Sequence, residues 1–567
     1  MSSARAKELI DLGDRLFTAK SPFDTLCQDI AEQIYPQRAD FQVDNVLGAE
    51  FADHLKDSYP VLMHRDLSDS LSAMLRPKNK TWFRPTTLDE ATDSETDNAQ
   101  FLEYLGSKIK TGIYHPKTQF IRATKEGDRD YTAFGNAVIS VEEGGQERDH
   151  LFFRSHHLRN CAWLENELSE IDHLHRKDAM TARKMKRMFG ESVLHESIKR
   201  ACEKEPHKPF DLRVVVMPAD EYDYVGGGSK NKNGKRLPFV IVYIDQTNCK
   251  ILREGGLHDF LYVVPRWQTM SGSQYAFSPA AMTSLPDARM MQTLAHILIE
   301  AGERGVDPPL VAHEGAISEP MGGPGLITWL DSEYDGNVKD AIMALETNAD
   351  VSTGFAMRQD LRDMLAKSFF IDKLRLPQGE AGDKTATEIR ALLEEHVRNL
   401  LPLFEPIEVE YNTRLLDKAW STLDNMGQID WSMAPQALRG SDVTWAFESP
   451  IEETKTRLLA EQCMETMGLV AKARELGAIA TNPIHGDKML KDAIRGIGGP
   501  AIWRKTDEEM QAEAEQAQAK ELIGGALQEV AMGAEVAANV GGAAQQLQGA
   551  GMLPPPPPQM PGMGRAA

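Results

Sequence analysis

Cysteine is scarce in this 567-residue chain, and no two cysteines are close enough to form a Cys-x-x-Cys pair. The five that occur are Cys27, Cys161, Cys202, Cys249 and Cys463. An odd number of widely spaced cysteines argues against a disulfide framework and against a cysteine-rich zinc module. We therefore expect a protein of a reducing compartment.

Long hydrophobic runs are also missing. The N-terminal residues carry charges throughout and contain no apolar segment of the kind found in signal peptides. No window reaches the ~18 uncharged apolar residues that a membrane-spanning helix needs. The sequence therefore predicts no secretion signal and no membrane contact.

Basic residues are fewer than acidic ones, 63 against 85, and the net charge is −22. This balance excludes a general nucleic-acid coat, because such binding depends on Lys and Arg neutralising phosphates. Contact with DNA through a few local bases stays open. Hydrophobic residues make up 41% of the chain, an ordinary globular value that permits a large core.

Catalytic motifs are absent as well. A P-loop needs Gly-Lys followed by Ser or Thr, whereas Gly234-Lys235 is followed by Arg236 and is best interpreted as a hairpin tip. The chain contains neither a Gly-x-Ser-x-Gly elbow nor a His-Glu-x-x-His zinc motif. We predict no enzyme, no catalytic residues and no cofactor.

A metal site is the one centre that short-range spacing could suggest. His173 and His175 would share a face on a strand, next to Asp172. No further ligand is apparent, and bases follow directly, so a packed or solvated role is favoured over metal binding. Large aromatic residues are likewise interpreted as core anchors and not as base-stacking platforms, namely Trp163, Trp267, Trp420 and Trp445.

Apolar periodicity predicts a mainly helical α+β protein. The stretch to about residue 125 favours helices, including Ala4–Leu16 and Asp57–Leu75, with a short strand in 81–86. Residues 211–267 contain four short β-branched and aromatic runs (LRVVVMP, FVIVYID, CKIL and DFLYVVPRW) separated by Gly- and Asn-rich turns, one of which is REGG. This spacing predicts an antiparallel meander, because no helix separates the strands.

Helices dominate again after that region. Ser278 and Pro279 are typical of a helix N-terminus, and the helix is expected to reach about Glu300 with a kink at Pro286. A Pro- and Gly-rich loop with a strand or two should follow over 302–336. Helix is predicted again over 338–370.

The C-terminal third begins with another break in the pattern. Residues 373–384 interrupt the helical periodicity, and Thr385 with Glu388 forms a capping box for a long helix. Further helices are expected over 450–477 and 486–496. Residues 551–567 are rich in proline, which predicts an extended, disordered end.

Three strings together resemble the portal, or head-to-tail connector, proteins of short-tailed bacteriophages of the podovirus type. They are WLENELSEIDHLHRKDAMTARKMKRMFG at 163–190, PRWQTMSGSQYAFSPAAMTSLPDARMMQTL at 265–294 and GDKTATEIRALLEEH at 382–396. The resemblance covers roughly residues 5–500. One departure is YAFSP at 275–279, where glycines are commoner in that family.

The resemblance implies a portal fold with a β-rich wing, a helical stem, a projecting clip and a helical crown. The implied regions are the wing (1–277), the first stem helix (278–301), the clip (302–336), the second stem helix (337–371), the tunnel loop (372–384), a long helix with a return to the wing (385–445), the crown (446–550) and the disordered tail (551–567).

It also implies a function and its partners. Portal proteins form a dodecameric ring at one capsid vertex, through which double-stranded DNA enters and leaves. The expected partners are the terminase large subunit, the tail adaptor or head-completion protein, and the capsid and scaffolding proteins. The implied location is the virion, with assembly in the cytoplasm of the bacterial host.

Candidate site residues follow from this map. Within the tunnel loop, Lys373, Arg375 and Lys384 are the expected phosphate contacts, because only bases within a Debye length of ~8 Å are felt by DNA. A plain solvated loop stays an open alternative for that segment. In the clip, partner docking is expected around a set of stiffening and turn-forming residues, namely Pro308, Pro309, Pro320, Gly322, Gly323 and Pro324.

Two other functional classes were weighed against the structural ring. A packaging ATPase subunit is disfavoured because the P-loop is missing. Another virion component, such as a tail adaptor or a scaffold, is disfavoured by the chain length and by the order of stem helix, clip and stem helix.

Overall fold

We describe the protein from a computed structural model. It describes residues 2–44, 48, 50–89, 92–93, 95–144, 149–222, 237–308, 310–312, 342–344, 351–374, 395, 398–399, 402, 405–440, 442–447 and 462–472. Helix and sheet are mixed, as the predicted α+β class requires. Within these ranges, none of the helices combines the length and the apolar character needed to cross a lipid bilayer.

The structure contains the α-helices α1 (Ser2–Ile34), α2 (Tyr59–Leu75), α3 (Thr96–Ile113), α4 (Phe120–Phe134), α5 (Ala182–Phe189), α6 (Glu196–Lys204), α7 (Leu285–Val306), α8 (Val351–Ser368), α9 (Ile371–Leu374) and α10 (Arg414–Asn425). Residues 462–472 are also helical. Two π-helical turns, Ala280–Ser284 and Glu408–Thr413, lead directly into α7 and α10. Because π turns add a residue to a helical turn, they often mark functional or strained positions.

The β-strands of these ranges are β1 (Phe83–Thr86), β2 (Val138–Gly144), β3 (His150–His156), β4 (Cys161–Glu165), β5 (Ile171–Thr181), β6 (Pro209–Pro218), β7 (Phe239–Asp245), β8 (Lys250–Leu257), β9 (Tyr262–Val263), β10 (Gln268–Met270), β11 (Ser273–Phe277), β12 (Leu310–Ala312), β13 (Ile342–Ala344) and β14 (Thr444–Phe447). A five-stranded sheet has the order β4-β5-β6-β7-β8, and a three-stranded sheet has the order β3-β2-β9. The remaining pairs are β1-β14, β10-β11 and β12-β13, and all described pairings are antiparallel.

The predicted meander is confirmed for β6, β7 and β8, but two details were wrong. The expected turn REGG lies inside β8, where residues 253–256 pair with residues 240–243 of β7. A register shift lies next to them, between Tyr243 and Ile244 of β7. The run DFLYVVPRW contributes only β9, which pairs with β2 in the other sheet. Pairing with a neighbouring strand outweighed the weak local preference of glycine for turns.

The chain divides into two compact units. One comprises residues 1–88, 102–434 and 440–455, and it holds a continuous core of helices α1, α2 and α4 and both larger sheets. The tryptophans behave as predicted there: Trp163 and Trp445 are buried, and Trp267 and Trp420 pack against the core. The other comprises residues 89–101, 435–439 and 456–567. In its described part, residues 462–472 form a largely exposed helix.

A buried polar network ties α2 and α4 to the second π turn. The Arg76 guanidinium, at the end of α2, donates to Asp128 of α4 and, at 2.9 Å, to Asn412 Oδ1 of the π turn. It also lies over the Tyr411 ring, 4.6 Å from the ring centroid. All four groups are buried, so the chain segments that carry them must arrive together.

Buried histidines make the folded state sensitive to acid. Burial lowers the pKa of His64 to about 4, while its Nε2 lies 2.9 Å from the Arg129 carbonyl oxygen. Burial likewise lowers the pKa of His173 to about 4 and that of His175 to about 2. Below pH 6.5 these histidines therefore bind protons in the unfolded chain but stay neutral in the folded chain. The free energy of unfolding consequently decreases as the pH falls from 6.5 toward 4.

We expect His64→Gln to flatten this pH dependence. The amide of Gln can still donate to the Arg129 carbonyl but does not titrate. Between pH 6.5 and about pH 5 the variant should lose about 2 kcal/mol less unfolding free energy than wild type, at 1.36 kcal/mol per pH unit. Chemical denaturation at both pH values measures this difference. The exposed His207, changed to Gln, is the control, and equal slopes for both variants would contradict the assignment.

Candidate assembly surface and channel residues

Helices α7 and α8 pack against each other. Gly354 of α8 permits a close approach, since a β-carbon there would lie only 2.6 Å from Leu298 Cδ2 of α7. The predicted helix cap is confirmed: Ser278 Oγ accepts from the Ala281 N–H at 3.1 Å. The expected kink at Pro286 is replaced by the preceding π turn, and Pro286 sits in the first turn of α7.

The ends of both helices differ from expectation. Helix α7 continues to Val306, past the expected end near Glu300, and α8 begins only at Val351. Residues 342–344, expected to be helical, form β13 and pair with β12. The backbone groups of these residues are therefore satisfied by pairing with β12 and not by helical hydrogen bonds.

Asp57 joins both helices to the body. Its Oδ2 pairs with Arg362 of α8 at 2.9 Å, and its backbone carbonyl accepts from Gln292 Nε2 of α7 at 2.7 Å. Gln292 Oε1 in turn accepts from the backbone N–H groups of Lys56 and Asp57 at 2.8 and 3.0 Å. Asp57 Oδ1 also accepts from the Tyr59 N–H, at 2.9 Å, at the start of α2. The Asp57 carboxylate therefore ties α8 to the start of α2, and the backbone of Lys56 and Asp57 holds α7 through Gln292.

The distal parts of α7 and α8 carry exposed apolar side chains. Beyond Ala295, no residue of α7 is buried in the described structure. The exposed fractions are 54% for Ile297, 88% for Val306 and 50% for Phe355. The side chains of four further residues on these helices are 45–54% exposed, namely Met290, Ile299, Met357 and Met364. We call Ile297, Val306 and Phe355 the stem apolar set. Apolar side chains exposed along two packed helices are candidates for burial against another subunit.

Of the predicted DNA contacts, the described structure contains Lys373. It lies in α9, where Ile371 and Leu374 are buried while Asp372 and Lys373 are exposed. The Lys373 Nζ lies 5.5 Å from the centroid of the Phe370 ring. The buried pair anchors this turn and leaves the ammonium group in solvent. The other two predicted contacts, Arg375 and Lys384, lie outside the described residues, as does the capping box of Thr385 and Glu388.

Most of the predicted clip residues also lie outside the described part of the chain. Pro308 is described: it follows the end of α7 and is half-buried. The others outside the description are Pro309, Pro320, Gly322, Gly323 and Pro324. The same holds for the tail at 551–567 and for most of the predicted crown.

The two histidines considered as metal ligands form a buried pair. Their Nε2 atoms are 3.0 Å apart, and the rings stack with centroids 5.0 Å apart. Glu221 Oε2 lies 3.5 Å from Nδ1 of His173, on the opposite edge of that ring. Among the described residues, no three His, Cys, Asp or Glu side chains converge as a metal site would require. The arrangement is that of a packed pair of neutral imidazoles, which burial keeps unprotonated.

Sequence reasoning did not identify the Asp57 junction. Three residues form it. Asp57 lies 235 positions from Gln292 and 305 positions from Arg362 in the sequence. The only local signal is Asp57 two residues before a helix start, which predicts a cap and nothing more. The partners on α7 and α8 carry no short-range signal at all.

Asp57→Ala should loosen the attachment of α8 and the start of α2, while the backbone bonds to Gln292 of α7 remain. It removes the ion pair to Arg362 and the acceptor for the Tyr59 N–H, and charged hydrogen bonds are worth about 1.5–3 kcal/mol each. We expect unfolding free energy to fall by about 2–4 kcal/mol, because Arg362 is partly exposed and keeps some solvation. Denaturant titration checks the loss.

Asp53, which is 75% exposed at its side chain, provides the control. Asp53→Ala should leave the free energy of unfolding within about 0.5 kcal/mol of the wild-type value. Equal losses from the two substitutions would show that Asp57 is no junction.

Comparisons with known proteins identify the family of this chain. The family model described as "Bacteriophage head to tail connecting protein" matches residues 6–502. The portal protein of Salmonella phage epsilon15 is 22% identical over 510 residues, which is 88% of each chain. The probable portal protein of Bordetella phage BPP-1 is 24% identical over 483 residues, covering 84% of this chain and 83% of the relative. Since the family model spans most of its length, the chain belongs to the bacteriophage head-to-tail connecting, or portal, protein family.

Proposed function

We propose that this protein forms a dodecameric portal ring at one capsid vertex of a short-tailed phage. The observation that carries the ring is the stem apolar set, which leaves Ile297, Val306 and Phe355 exposed on two packed helices. A monomer gains nothing from this exposure, whereas a neighbouring copy would remove it from water. Family membership supports the same conclusion, because phage portal proteins are structural components of the virion capsid.

The same proposal gives each region its role. The wing would comprise residues 1–277 and 385–445, the stem helices 278–301 and 337–371, the clip 302–336, the tunnel loop 372–384 and the crown 446–550. Double-stranded DNA would pass through the central channel during packaging and ejection. The clip would dock the terminase large subunit and then the tail adaptor, and the wing would meet capsid and scaffolding proteins. Assembly would take place in the bacterial cytoplasm.

Native mass spectrometry of the purified protein, with negative-stain imaging, tests the ring. We expect closed rings with a central hole. Rings of recombinant protein can differ in copy number from those in virions, so the discriminating feature is closure. Monomers or dimers alone, over a wide range of protein concentration, would refute the proposal.

A second experiment tests the channel role of the tunnel loop. Lys373 is exposed on an anchored turn, and Arg375 follows it in the sequence. Bases repeated around a ring would attract passing phosphates without a sequence-specific grip. We expect Lys373→Glu with Arg375→Glu to leave rings intact and to reduce the DNA content of particles. The loss should shrink at high salt, where screening weakens attraction and repulsion alike.

Lys108→Glu, an exposed change on α3, controls for a general effect of charge. It should leave DNA content unchanged. Normal genome content in the double variant at both salt concentrations would leave the loop as a plain connector.

A further inference from the structure

The helical hairpin between β5 and β6 reverses the charge of the rest of the protein. Residues 182–208 contain eight basic and four acidic side chains, a net of +4, whereas the whole chain carries −22. The remaining residues therefore carry −26. Helices α5 and α6 form this hairpin, and their buried residues Ala182, Met185, Ile198 and Ala201 hold it to the body.

The hairpin is fixed at its base. Its first two backbone N–H groups, those of Ala182 and Arg183, donate to the carbonyls of Lys208 and Pro206 at 3.0 Å each. Gly190 ends α5 with a φ of +80°, a conformation that favours glycine. The charges on α5 are therefore presented from a defined frame and not from a loose loop.

Three of the eight bases on the hairpin form ordinary solvated ion pairs. Lys186 pairs with Glu191 at 2.8 Å, Lys199 with Glu196 at 3.0 Å and Lys208 with Glu205 at 3.9 Å. Arg183, Lys184 and Arg187 are exposed, and no described carboxylate forms an ion pair with them. Met188, 40% exposed, lies beside them. We call these four residues the α5 basic surface.

Helix stability does not explain the position of two of these bases. Arg183 and Lys184 lie in the first turn of α5, which has no acidic residue and no side-chain cap. The N-terminus of a helix carries a partial positive charge, so cations there are unfavourable by about 0.3–1 kcal/mol each. Arg187, in the last turn, is favourable for the helix, whereas Arg183 and Lys184 oppose it. Two exposed bases that destabilise their own helix indicate a role in binding an anionic partner.

We propose that the α5 basic surface docks an acidic, amphipathic segment of another protein. Acidic side chains would pair with Arg183, Lys184 and Arg187, and an apolar side chain would cover Met188. The exposed Met188 favours a protein segment over duplex DNA, because a phosphate backbone offers no apolar group to pack against this side chain. The surface is also short, at about 12 Å for eight residues at 1.5 Å each, which offers few phosphate contacts. The proposal rests on the hairpin and does not require the ring.

Fluorescence anisotropy of the full-length protein tests this docking. The probe is a labelled helical peptide with Glu on one face and Leu on the other, and a labelled short DNA duplex is the competing probe. Arg183→Gln with Lys184→Gln should weaken peptide binding about twofold to thirtyfold, given 0.2–1 kcal/mol for each of the two exposed pairs. Met188→Ser should weaken peptide binding as well and leave duplex binding unchanged.

A matched variant removes the same charge from the same hairpin. Lys199→Gln with Lys208→Gln deletes two bases that already have acidic partners, so peptide affinity should change less than about twofold. Equal weakening by both double variants would reduce the effect to net charge and overturn the proposal. Tighter binding of the duplex, indifferent to Met188→Ser, would overturn it in favour of DNA contact.

Two further readouts separate docking from folding and assembly. Because Arg183→Gln with Lys184→Gln removes unfavourable cations from a helix N-terminus, the melting temperature should be unchanged or slightly higher. A lower melting temperature would show that these bases stabilise the hairpin and would overturn the proposal. Loss of oligomers in native mass spectrometry would instead make this surface an interface between copies, which also overturns it.

Discussion

Ile297→Ser combined with Phe355→Ser is expected to convert rings into folded protomers. The two side chains are 54% and 50% exposed, so in the protomer the change costs only the burial of the other half of each, about 1 kcal/mol per residue. At a subunit interface each would bury its remaining half, worth about 1 kcal/mol per residue. The loss recurs at every interface of a closed ring, so closure should fail at protein concentrations where wild type assembles. Native mass spectrometry and size-exclusion chromatography measure the ring fraction.

Apolar residues exposed elsewhere in the same compact unit provide the control. Leu168→Ser with Met270→Ser removes side chains that are 78% and 59% exposed, outside the two stem helices. Rings should persist in this variant. If the stem variant assembled as well as this control, the stem apolar set would have no part in the interface.

Asp128→Ala is expected to produce the largest loss of stability of any change considered. The Arg76 and Asp128 side chains are 3% and 4% exposed, so removal of the carboxylate leaves a buried guanidinium without its counter-charge. Breaking a buried pair in this way costs about 3–5 kcal/mol. Among the described residues, Asn412 on the π turn would then be the remaining side-chain hydrogen-bond partner of the Arg76 guanidinium. Denaturant titration and thermal melting measure the loss.

The companion double variant separates a lost pair from a stranded charge. Arg76→Met with Asp128→Leu removes both charges and refills the space, and such replacements are often close to neutral. We expect the double variant to be more stable than Asp128→Ala. A loss below about 1 kcal/mol for the single change would show that solvent reaches Arg76 and that the network does not hold the π turn.

Local signals in the sequence were sufficient for many of the elements. β6 and β7 are continuous β-branched and aromatic runs with turn residues on either side, and this composition alone indicates buried strands. Ser278 caps its helix as expected, because a side-chain oxygen satisfies a backbone N–H three residues away whatever the rest of the chain does. Gly190 ends α5 for a similarly local reason.

Where pairing partners are distant, the same reasoning failed. Residues 253–256 look like a turn, yet they lie in β8 because β7 supplies a ladder for them. Tyr262–Val263 leave the meander and pair with β2, a strand more than one hundred residues earlier. The helix predicted from 338 begins at Val351, since residues 342–344 find a strand partner in β12. No window of the sequence contains these partners.

The sequence by itself determined the class, the family and the absence of catalytic motifs, because composition and short motifs are properties of the chain without its fold. Only the tertiary structure decided that Asp57 joins α2, α7 and α8 and that Arg76, Asp128 and Asn412 meet. It also decided which bases on the α5–α6 hairpin pair with acids. The physical reason is that a buried charge is stable only with its partner in place, and the partner is chosen by packing between segments far apart in sequence.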